Sequence, residues 1–358
     1  MNIALVAETA PAKTLIPIIE KLDDDDEIIS LTHDTGAMEL LSPYSVDIKA
    51  IGESRKNTSV KRSNFTIGRL VLQDTYKTYK ALKNSDTDLV ITCGNSGDVR
   101  KGILAAKKLD IPVLHMEQDI YNPIEMIAYA NLITVPNNVA QKNLKKMYGI
   151  KNTFNIRGYP QAEYVNRMEL ESKEEIYEKY GVDDFYVLFL GGDTRATDIP
   201  DIISEIQKLD KTILIVPYRF DVKYISKLIT RRNVYVIDGF VDLLSLMKAS
   251  QGVIYCAGMG VTIEVGALSI PAIKLLGFHR QHASNDLARK LGITVVSEYD
   301  IASSIDSMKQ PNGERLVKNG YKASLKVAEL IHEMKIFTKD PGGLSSMKKI
   351  WNQRKKYR

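Results

Sequence analysis

The chain has 358 residues, of which 44% are hydrophobic and 26% are charged, so it is long enough for two globular domains. No apolar run approaches the ~20 residues that cross a bilayer. The net charge is +5, but seven lysines and arginines and one aspartate lie in residues 336–358, so the remaining chain is close to neutral. A nucleic-acid-binding protein usually spreads positive charge over a folded face, so the composition argues against nucleic acid as a partner.

Short runs rich in Val, Ile and Leu alternate with longer segments of helical period in the first half. This alternation is typical of βαβ units and a parallel sheet. The predicted strands are residues 2–7, 27–33, 88–93, 111–116 and 132–136, and the predicted helices include 12–22, 65–84 and 97–109.

A second series of the same kind follows, which predicts an α/β protein with two doubly wound, Rossmann-like parallel-sheet domains facing each other across a cleft. Its predicted strands are residues 186–192, 211–217, 233–238, 252–258, 271–276 and 293–298, with a final helix at about 313–335. We expect the first domain over residues 1–165, the second over 183–335 and a basic amphipathic tail over 336–358.

The two cysteines, Cys93 and Cys256, lie in or at the end of apolar runs, and we interpret them as reduced core residues. The opening residues, MNIALVAET, lack the basic start and the cleavage site of a signal peptide and predict a first strand. Both features predict a cytoplasmic protein.

Ligands bind open parallel sheets beyond the carboxyl ends of the strands, where helix N termini direct backbone N–H groups toward them. In the segment GGDTRAT, Gly191 and Gly192 at the end of a predicted strand allow the backbone to approach a diphosphate. Thr194 and Arg195 can add polar contacts. The alternative is a tight turn, and neither a GxGxxG nor a P-loop motif is present.

The segment CAGMGVTIEVG, residues 256–266, combines two glycines with one glutamate at a predicted helix start. Gly258, Gly260 and Thr262 can cradle phosphate oxygens. Glu264 can accept hydrogen bonds from both hydroxyls of a ribose. Alternatively, Glu264 is a favourable anion in the first helical turn, worth ~0.3–1 kcal/mol. That alternative leaves the paired glycines unexplained, so we favour a nucleotide site.

The segment GFHRQHASND, residues 277–286, follows another predicted strand. Its neutral side chains Gln281 and Asn285 suit sugar hydroxyls. A metal site at His279 and His282 would lack an adjacent acidic partner. No DxD-type pair of carboxylates lies at a strand end, so we expect a site without a metal ion.

Polar side chains also follow strands predicted in the first half. Asn95 and Ser96 come after one strand in CGNSGD, and His115, Glu117 and Asp119 lie at the end of the next in HMEQD. Glu117 or Asp119 can act as a general base. For Asn95 and Ser96 the alternative is helix capping.

Together these motifs resemble the GT-B superfamily, which contains nucleotide-sugar glycosyltransferases and UDP-N-acetylglucosamine 2-epimerases, over most of residues 1–335. The second half is similar to the cell-wall lipid-intermediate N-acetylglucosaminyltransferases of glycosyltransferase family 28. This resemblance implies a diphosphate contact at Gly191-Gly192, a uracil contact at Phe240-Val241, ribose contacts at Gly260, Thr262 and Glu264, and sugar contacts at Gln281 and Asn285.

The first half resembles the epimerases instead, through the segments TAPAKTLIPIIEKL, DLVITCGNSGDVRKGILAAKKLDIPVLHMEQD and ANLITVPNNVAQKNL. Three positions differ from that family: Asn95 replaces an ionisable aspartate, Gln118-Asp119 replaces an Ala-Gly pair, and Tyr218 replaces a histidine. An amide cannot exchange protons at neutral pH as a carboxylate does, so the epimerase chemistry is weakened. Glu117 remains, with Glu125 as a second candidate. The transferases' GGTGGH loop is also replaced, by AETAPAK.

We therefore predict a metal-independent glycosyltransferase that moves a hexosamine, N-acetylglucosamine by resemblance, from UDP to an acceptor hydroxyl in cell-wall or surface-glycan synthesis. The UDP-sugar is a substrate, so no cofactor is expected. The second domain would bind the donor, with Arg195 stabilising the departing diphosphate. The first domain would bind the acceptor through Asn95, Ser96 and His115, and a carboxylate of HMEQD would take its proton. Two alternatives stay open: a UDP-N-acetylglucosamine 2-epimerase and a non-catalytic sugar-nucleotide-binding protein.

In the tail, Leu344, Met347, Ile350 and Trp351 share one face of a predicted helix flanked by lysines and arginines. A basic amphipathic helix with a tryptophan suits a membrane interface. Residues 344–358 are therefore a candidate contact with the inner face of the cell membrane, which would fit a lipid-linked acceptor. Packing of the tail against the first domain is the alternative.

Overall fold

The computed structural model describes residues 1–52, 64–94, 97–119, 124–277, 282–333 and 344–354. The chain divides into two compact units, which we call the first domain (Met1–Tyr164 with Lys318–Arg358) and the second domain (Val165–Val317). None of the described helices is long and apolar enough to cross a membrane.

The described part of the first domain is built on a parallel sheet of seven strands. These are β1 (Asn2–Val6), β2 (Glu27–Thr32), β3 (Asp47–Ala50), β4 (Leu89–Cys93), β5 (Val113–Met116), β6 (Leu132–Val135) and β7 (Thr153–Asn155). The helices are α1 (Thr9–Ile19), α2 (Thr35–Leu41), α3 (Asn64–Lys83), α4 (Gly97–Lys108), α5 (Ile124–Ile127), α6 (Asn138–Tyr148) and α7 (Pro160–Asn166), which continues into the second domain. The strand order is β3-β2-β1-β4-β5-β6-β7.

The described part of the second domain is built on a parallel sheet of six strands. These are β8 (Phe185–Phe189), β9 (Thr212–Val216), β10 (Val234–Val236), β11 (Gly252–Tyr255), β12 (Ala272–Leu275) and β13 (Thr294–Val296), in the order β10-β9-β8-β11-β12-β13. The helices are α8 (Lys173–Tyr180), α9 (Ile199–Ile206), α10 (Val222–Leu228), α11 (Leu243–Ala249), α12 (Met259–Ala267), α13 (Ala283–Lys290) and α14 (Ile301–Ser304). The last two described helices are α15 (Glu314–His332) and α16 (Leu344–Arg354).

The prediction of two doubly wound parallel sheets is confirmed. Every predicted strand is present, because strands of a parallel sheet are buried on both faces and therefore form nearly continuous apolar runs. The apolar pattern does not predict the edge strands β3 and β7, since DIKA and TFN are partly exposed. Cys93 and Cys256 are buried free thiols, as predicted, and burial raises their pKa values to about 12 and about 11.

The observed units differ from the expected domain ranges at the end of the chain, where residues 318–333 pack in the first domain. Close backbone contacts explain this return. A Cβ on Gly158 would lie 2.2 Å from the carbonyl oxygen of Asn319, and one on Gly320 would lie 2.7 Å from that of Tyr159. Because only glycine permits such an approach, α15 is held tightly against the segment that leads into α7.

The tail helix α16 packs against α5 and α6 of the first domain. Ile350 is only 6% exposed and joins the first-domain core, whereas Trp351 is 45% exposed. The alternative of packing against the first domain is therefore confirmed for Ile350. The side chains of Leu344 and Met347 lie outside the described residues, and membrane contact through this segment stays a prediction.

Candidate functional site

The second sheet has a topological switch point between β8 and β11. These strands are neighbours, yet β9 lies on the far side of β8 and β12 on the far side of β11. Open parallel sheets bind ligands at such a point, beyond the carboxyl ends of the strands. Gly191-Gly192 follows β8 and Gly258 follows β11, so the structure brings together two of the segments predicted to bind a nucleotide.

The loop Gly191–Arg195, here called the GG loop, is tied to the end of β11. A Cβ on Gly191 would lie 2.6 Å from the Cβ of Ala257 and 2.8 Å from the carbonyl oxygen of Cys256. The Thr194 hydroxyl donates to that same carbonyl at 3.2 Å. A Cβ on Gly192 would meet no described atom within 4 Å. Gly191 is therefore required for packing, whereas the backbone at Gly192 is open to a ligand.

We expect Gly191→Ala to destabilise the second domain by ~1–3 kcal/mol, because the added methyl overpacks the junction of β8 with β11. The matched control, Gly192→Ala, should change the free energy of unfolding by less than ~0.5 kcal/mol. Hydrogen exchange at the amides of both strands measures the difference within this domain. Equal protection in the two variants would contradict the packing role of Gly191.

Helix α12 starts directly after the second glycine segment, with Gly258 as its N-cap and Met259 as its first residue. Thr262 is fully buried, and its hydroxyl donates to the carbonyl of Gly258 at 3.0 Å and accepts from the Tyr255 hydroxyl at 3.3 Å. Thr262 thus holds the start of the helix in place. Gly260 is half-buried in the first turn, at the end of the helix where the dipole favours an anion.

Glu264 lies in the second turn of α12 and not in the first turn as expected, because the helix begins at Met259. The side chain is only 5% exposed. Stabilisation of an anion by the helix dipole falls off within the first turn, so that effect does not account for this carboxylate. Helical side chains tilt toward the N terminus, which directs Glu264 toward the end of α12 that adjoins the glycines.

Helix α13 adds His282 and Asn285 to this region. His282 caps the helix by accepting the Ser284 N–H at Nδ1 over 3.1 Å, and its Cε1 would lie 3.7 Å from a Cβ on Gly258. Asn285 is buried in the first turn. The imidazole of His282 therefore lies beside the start of α12. The sequence motifs did not assign His282 to the nucleotide site. Gln281 lies outside the described residues.

Two cationic side chains support the same loops and were missed by the sequence motifs. Arg219, after β9, donates from Nη2 to the carbonyl of Thr194 at 3.0 Å. Lys274, on β12, is fully buried and donates from Nζ to the carbonyl of Ala257 at 2.6 Å. Burial lowers the pKa of Lys274. Both residues are distant in sequence from the loops that they contact, so no local pattern signals them. Arg195 itself is exposed.

Phe240 and Val241 lie apart from the other predicted donor residues in the sheet order. They follow β10, an edge strand that is separated from β8 by β9. Phe240 is 94% exposed and Val241 is half-buried. The uracil contact implied for this dipeptide stays a prediction.

The end of β5 in the first domain carries buried ionisable groups. Glu117 accepts the Asp119 N–H at Oε1 over 2.8 Å, and both carboxylates are buried. His115 is fully buried, with Nδ1 2.8 Å from the Thr92 hydroxyl. Burial lowers the pKa of His115 to about 3, so its ring is neutral. His115 is therefore a core residue of the sheet, without the exposure that a direct acceptor contact needs.

One of the remaining candidate site residues of the first domain lies in α5, and two lie outside the described residues. Glu125 is buried in α5, with Oε1 3.6 Å from Nη2 of Arg100. Asn95 and Ser96 lie outside the described residues. Glu117, Asp119 and Glu125 are thus the sequence-predicted carboxylates that the structure places in this domain.

The first domain also contains a histidine–aspartate pair that the sequence did not predict. His33 follows β2, and Asp98 lies in the first turn of α4, which follows β4. The two residues are 65 positions apart and share a 2.6 Å contact. The one local signal is an aspartate at a helix start, which is also the signature of an ordinary cap.

No protein-family model matches the chain, and no curated protein matches it in sequence. Solved structures do match. The UDP-GlcNAc 2-epimerase of Methanocaldococcus jannaschii, in complex with UDP-GlcNAc and UDP, gives a TM-score of 0.70 at 19% identity, over 93% of this chain and 100% of that chain. The UDP-GlcNAc 2-epimerase of Neisseria meningitidis, bound to UDP-GlcNAc, gives a TM-score of 0.69 at 17% identity, over 93% of this chain and 100% of that chain. MurG of Acinetobacter baumannii gives a TM-score of 0.54 at 16% identity, over 93% of this chain and 99% of that chain.

These structures share the GT-B-like fold of two parallel-sheet α/β domains, so the predicted fold class is confirmed. Each match covers both domains of this chain. The expected split, with an epimerase-like first half and a transferase-like second half, therefore stays a prediction.

Proposed function

We propose that this protein is an enzyme that binds UDP-N-acetylglucosamine and epimerises its sugar at C2. The observation that supports nucleotide binding is the junction of the GG loop with the start of α12 at a topological switch point, followed by the buried Glu264. The two solved epimerases match this chain with TM-scores of 0.70 and 0.69, against 0.54 for MurG. This difference favours epimerisation over the glycosyl transfer expected from the sequence.

Inversion at C2 requires that the C2–H bond breaks and re-forms on the opposite face of the ring. The electron pair of that bond can form a C1=C2 double bond while the C1–O bond to the diphosphate breaks. The reaction therefore needs proton-exchanging groups and electrostatic stabilisation of a departing diphosphate. We assign the stabilisation to the N terminus of α12 with Arg195 and Arg219, and the proton transfers to ionisable side chains.

Incubation of the pure protein with UDP-N-acetylglucosamine in D₂O tests this proposal. An epimerase should yield the C2 epimer, UDP-N-acetylmannosamine, with deuterium at C2, because the returning hydrogen comes from a solvent-exchanged group. Loss of the sugar H2 signal in NMR and a mass increase measure this exchange. Absence of both epimer and C2 exchange would refute the epimerase assignment.

Glycosyl transfer is the second candidate, and the match to MurG over 93% of this chain favours it. A transferase would leave hydrogen at C2 and release UDP only when an acceptor hydroxyl is present. A parallel incubation with a membrane-lipid extract supplies lipid-linked acceptors. UDP release that depends on the extract, without deuterium at C2, would establish transfer.

A further inference from the structure

The first sheet has its own switch point, between β1 and β4, and ionisable residues from three strand ends meet there. Glu8 follows β1, His33 follows β2, and Asp98 lies at the start of α4 after β4. The order β2-β1-β4 places these strand ends side by side. One ligand-type atom from each residue lies within 4.8 Å of the others. This edge of a doubly wound sheet is where ligands bind.

Asp98 fixes the orientation of the His33 ring. Its Oδ2 lies 2.6 Å from Nδ1 of His33 and also accepts the His33 backbone N–H at 3.3 Å. Its Oδ1 accepts from Nζ of Lys101 at 3.1 Å, and Lys101 is also paired with Asp74 at 2.8 Å. Because Asp98 is fully buried and both of its oxygens are occupied, the cluster is organised around a histidine and not around a metal ion.

The second ring nitrogen of His33 faces the outer part of the cluster. Nε2 lies 3.6 Å from Oε1 of Glu8, whose side chain is 33% exposed. The hydrogen bond to Asp98 raises the pKa of His33, burial opposes this shift, the charges of Asp98 and Glu8 raise it further, and Lys101 lowers it. A base with a pKa near the working pH is the most effective proton carrier. His33 differs in this from His115, another described histidine, whose side chain is fully buried.

We propose that His33 is a catalytic acid–base residue of the epimerisation and that Asp98 is its positioning residue. The inference rests on the proposed function. Neutral Nε2 takes the C2 proton, the C2–H electron pair forms C1=C2, and the C1–O bond breaks to release UDP. A second acid, for which Glu117 and Asp119 are candidates, returns a proton to the opposite face as UDP adds back. His33 thereby supplies a proton-exchanging group in a chain that has an amide at position 95.

Steady-state turnover of UDP-N-acetylglucosamine by His33→Gln tests the assignment. We expect kcat to fall by about 100-fold or more, with the dissociation constant of UDP unchanged within about twofold. Imidazole added to His33→Ala should restore part of the rate, which a purely structural role would not allow. The matched control is His332→Gln. His332 forms a similar pair with Asp26 at 2.7 Å, and Asp26 directly precedes β2, at the amino end of that strand. That variant should keep the wild-type rate.

The pH profile provides a second readout. If neutral His33 is the base, kcat/KM rises with pH through the pKa of His33. Glu8→Gln removes a charge that raises this pKa, so the acidic limb should move to lower pH. If the wild type is active and His33→Gln is equally active, or if Glu8→Gln does not move the acidic limb, the catalytic role of His33 is overturned. The proposed function would stand in either case. A wild type that never exchanges C2 hydrogen would remove the proposed function and this inference together.

Discussion

Glu264→Gln should raise the dissociation constant of UDP at least about tenfold, equivalent to ~1.4 kcal/mol. We assign the Glu264 carboxylate to the two ribose hydroxyls, and hydrogen bonds to a charged group contribute ~1.5–3 kcal/mol. Glutamine keeps the shape of the side chain but replaces one acceptor oxygen with a donor, so one of the two hydroxyls loses its partner. Isothermal titration calorimetry with UDP measures the change directly.

Glu205→Gln is the matched control for this experiment. Glu205 is also a buried carboxylate of the second domain, but it lies in α9 and pairs with Lys208. We expect this variant to bind UDP like the wild type. Equal affinity in Glu264→Gln and Glu205→Gln would show that the α12 carboxylate does not contact the nucleotide, and the ribose role would have to be abandoned.

Asp98→Asn should destabilise the first domain by ~3–5 kcal/mol, because it removes one partner from a buried ionic network. The amide leaves His33 and Lys101 without their shared carboxylate. Trp351, the single tryptophan of the chain, lies in α16 of the first domain, so its fluorescence during urea unfolding follows that domain. Reporting on one domain matters because a two-domain chain need not unfold in one step.

The pH dependence of this stability has a definite sign. Burial opposes ionisation of Asp98, but the His33 hydrogen bond and the Lys101 charge lower its pKa below 3.8. Its contribution is present above pH 3.8 and is lost as the pH falls through the lower, folded pKa. The pKa of His33 is raised above 6.5, so its contribution is present below pH 6.5 and is lost as the pH rises through the folded pKa. Asp98→Asn should abolish this loss of stability at alkaline pH.

Asp47→Asn provides the control in the same domain. Asp47 pairs with Lys49 at 2.9 Å on the edge strand β3, where its side chain is 48% exposed. Exposed pairs of this kind contribute ~0–1 kcal/mol, so the urea midpoint should hardly change. A first domain that tolerates Asp98→Asn as well as Asp47→Asn would contradict the ionic network and weaken the positioning role of Asp98.

The sequence determined the architecture of this protein to a large extent. Strands buried on both faces, such as β4 and β11, form apolar runs whose spacing predicts a parallel sheet. The same pattern marks where each strand ends, and the glycines that follow β8 and β11 identify a candidate nucleotide site. These features are local, because the glycines follow the ends of β8 and β11 within a few residues.

Only the tertiary structure decided which strand ends adjoin each other and which side chains meet there. His33 and Asp98, 65 positions apart in the chain, come together because the order β2-β1-β4 aligns the carboxyl ends of these strands. Arg219 reaches the GG loop, and Ile350 reaches the first-domain core, through the same kind of long-range packing. Sequence periodicity records the burial of each segment but not the identity of its neighbour. The cluster of Glu8, His33 and Asp98 is therefore a property of the folded sheet.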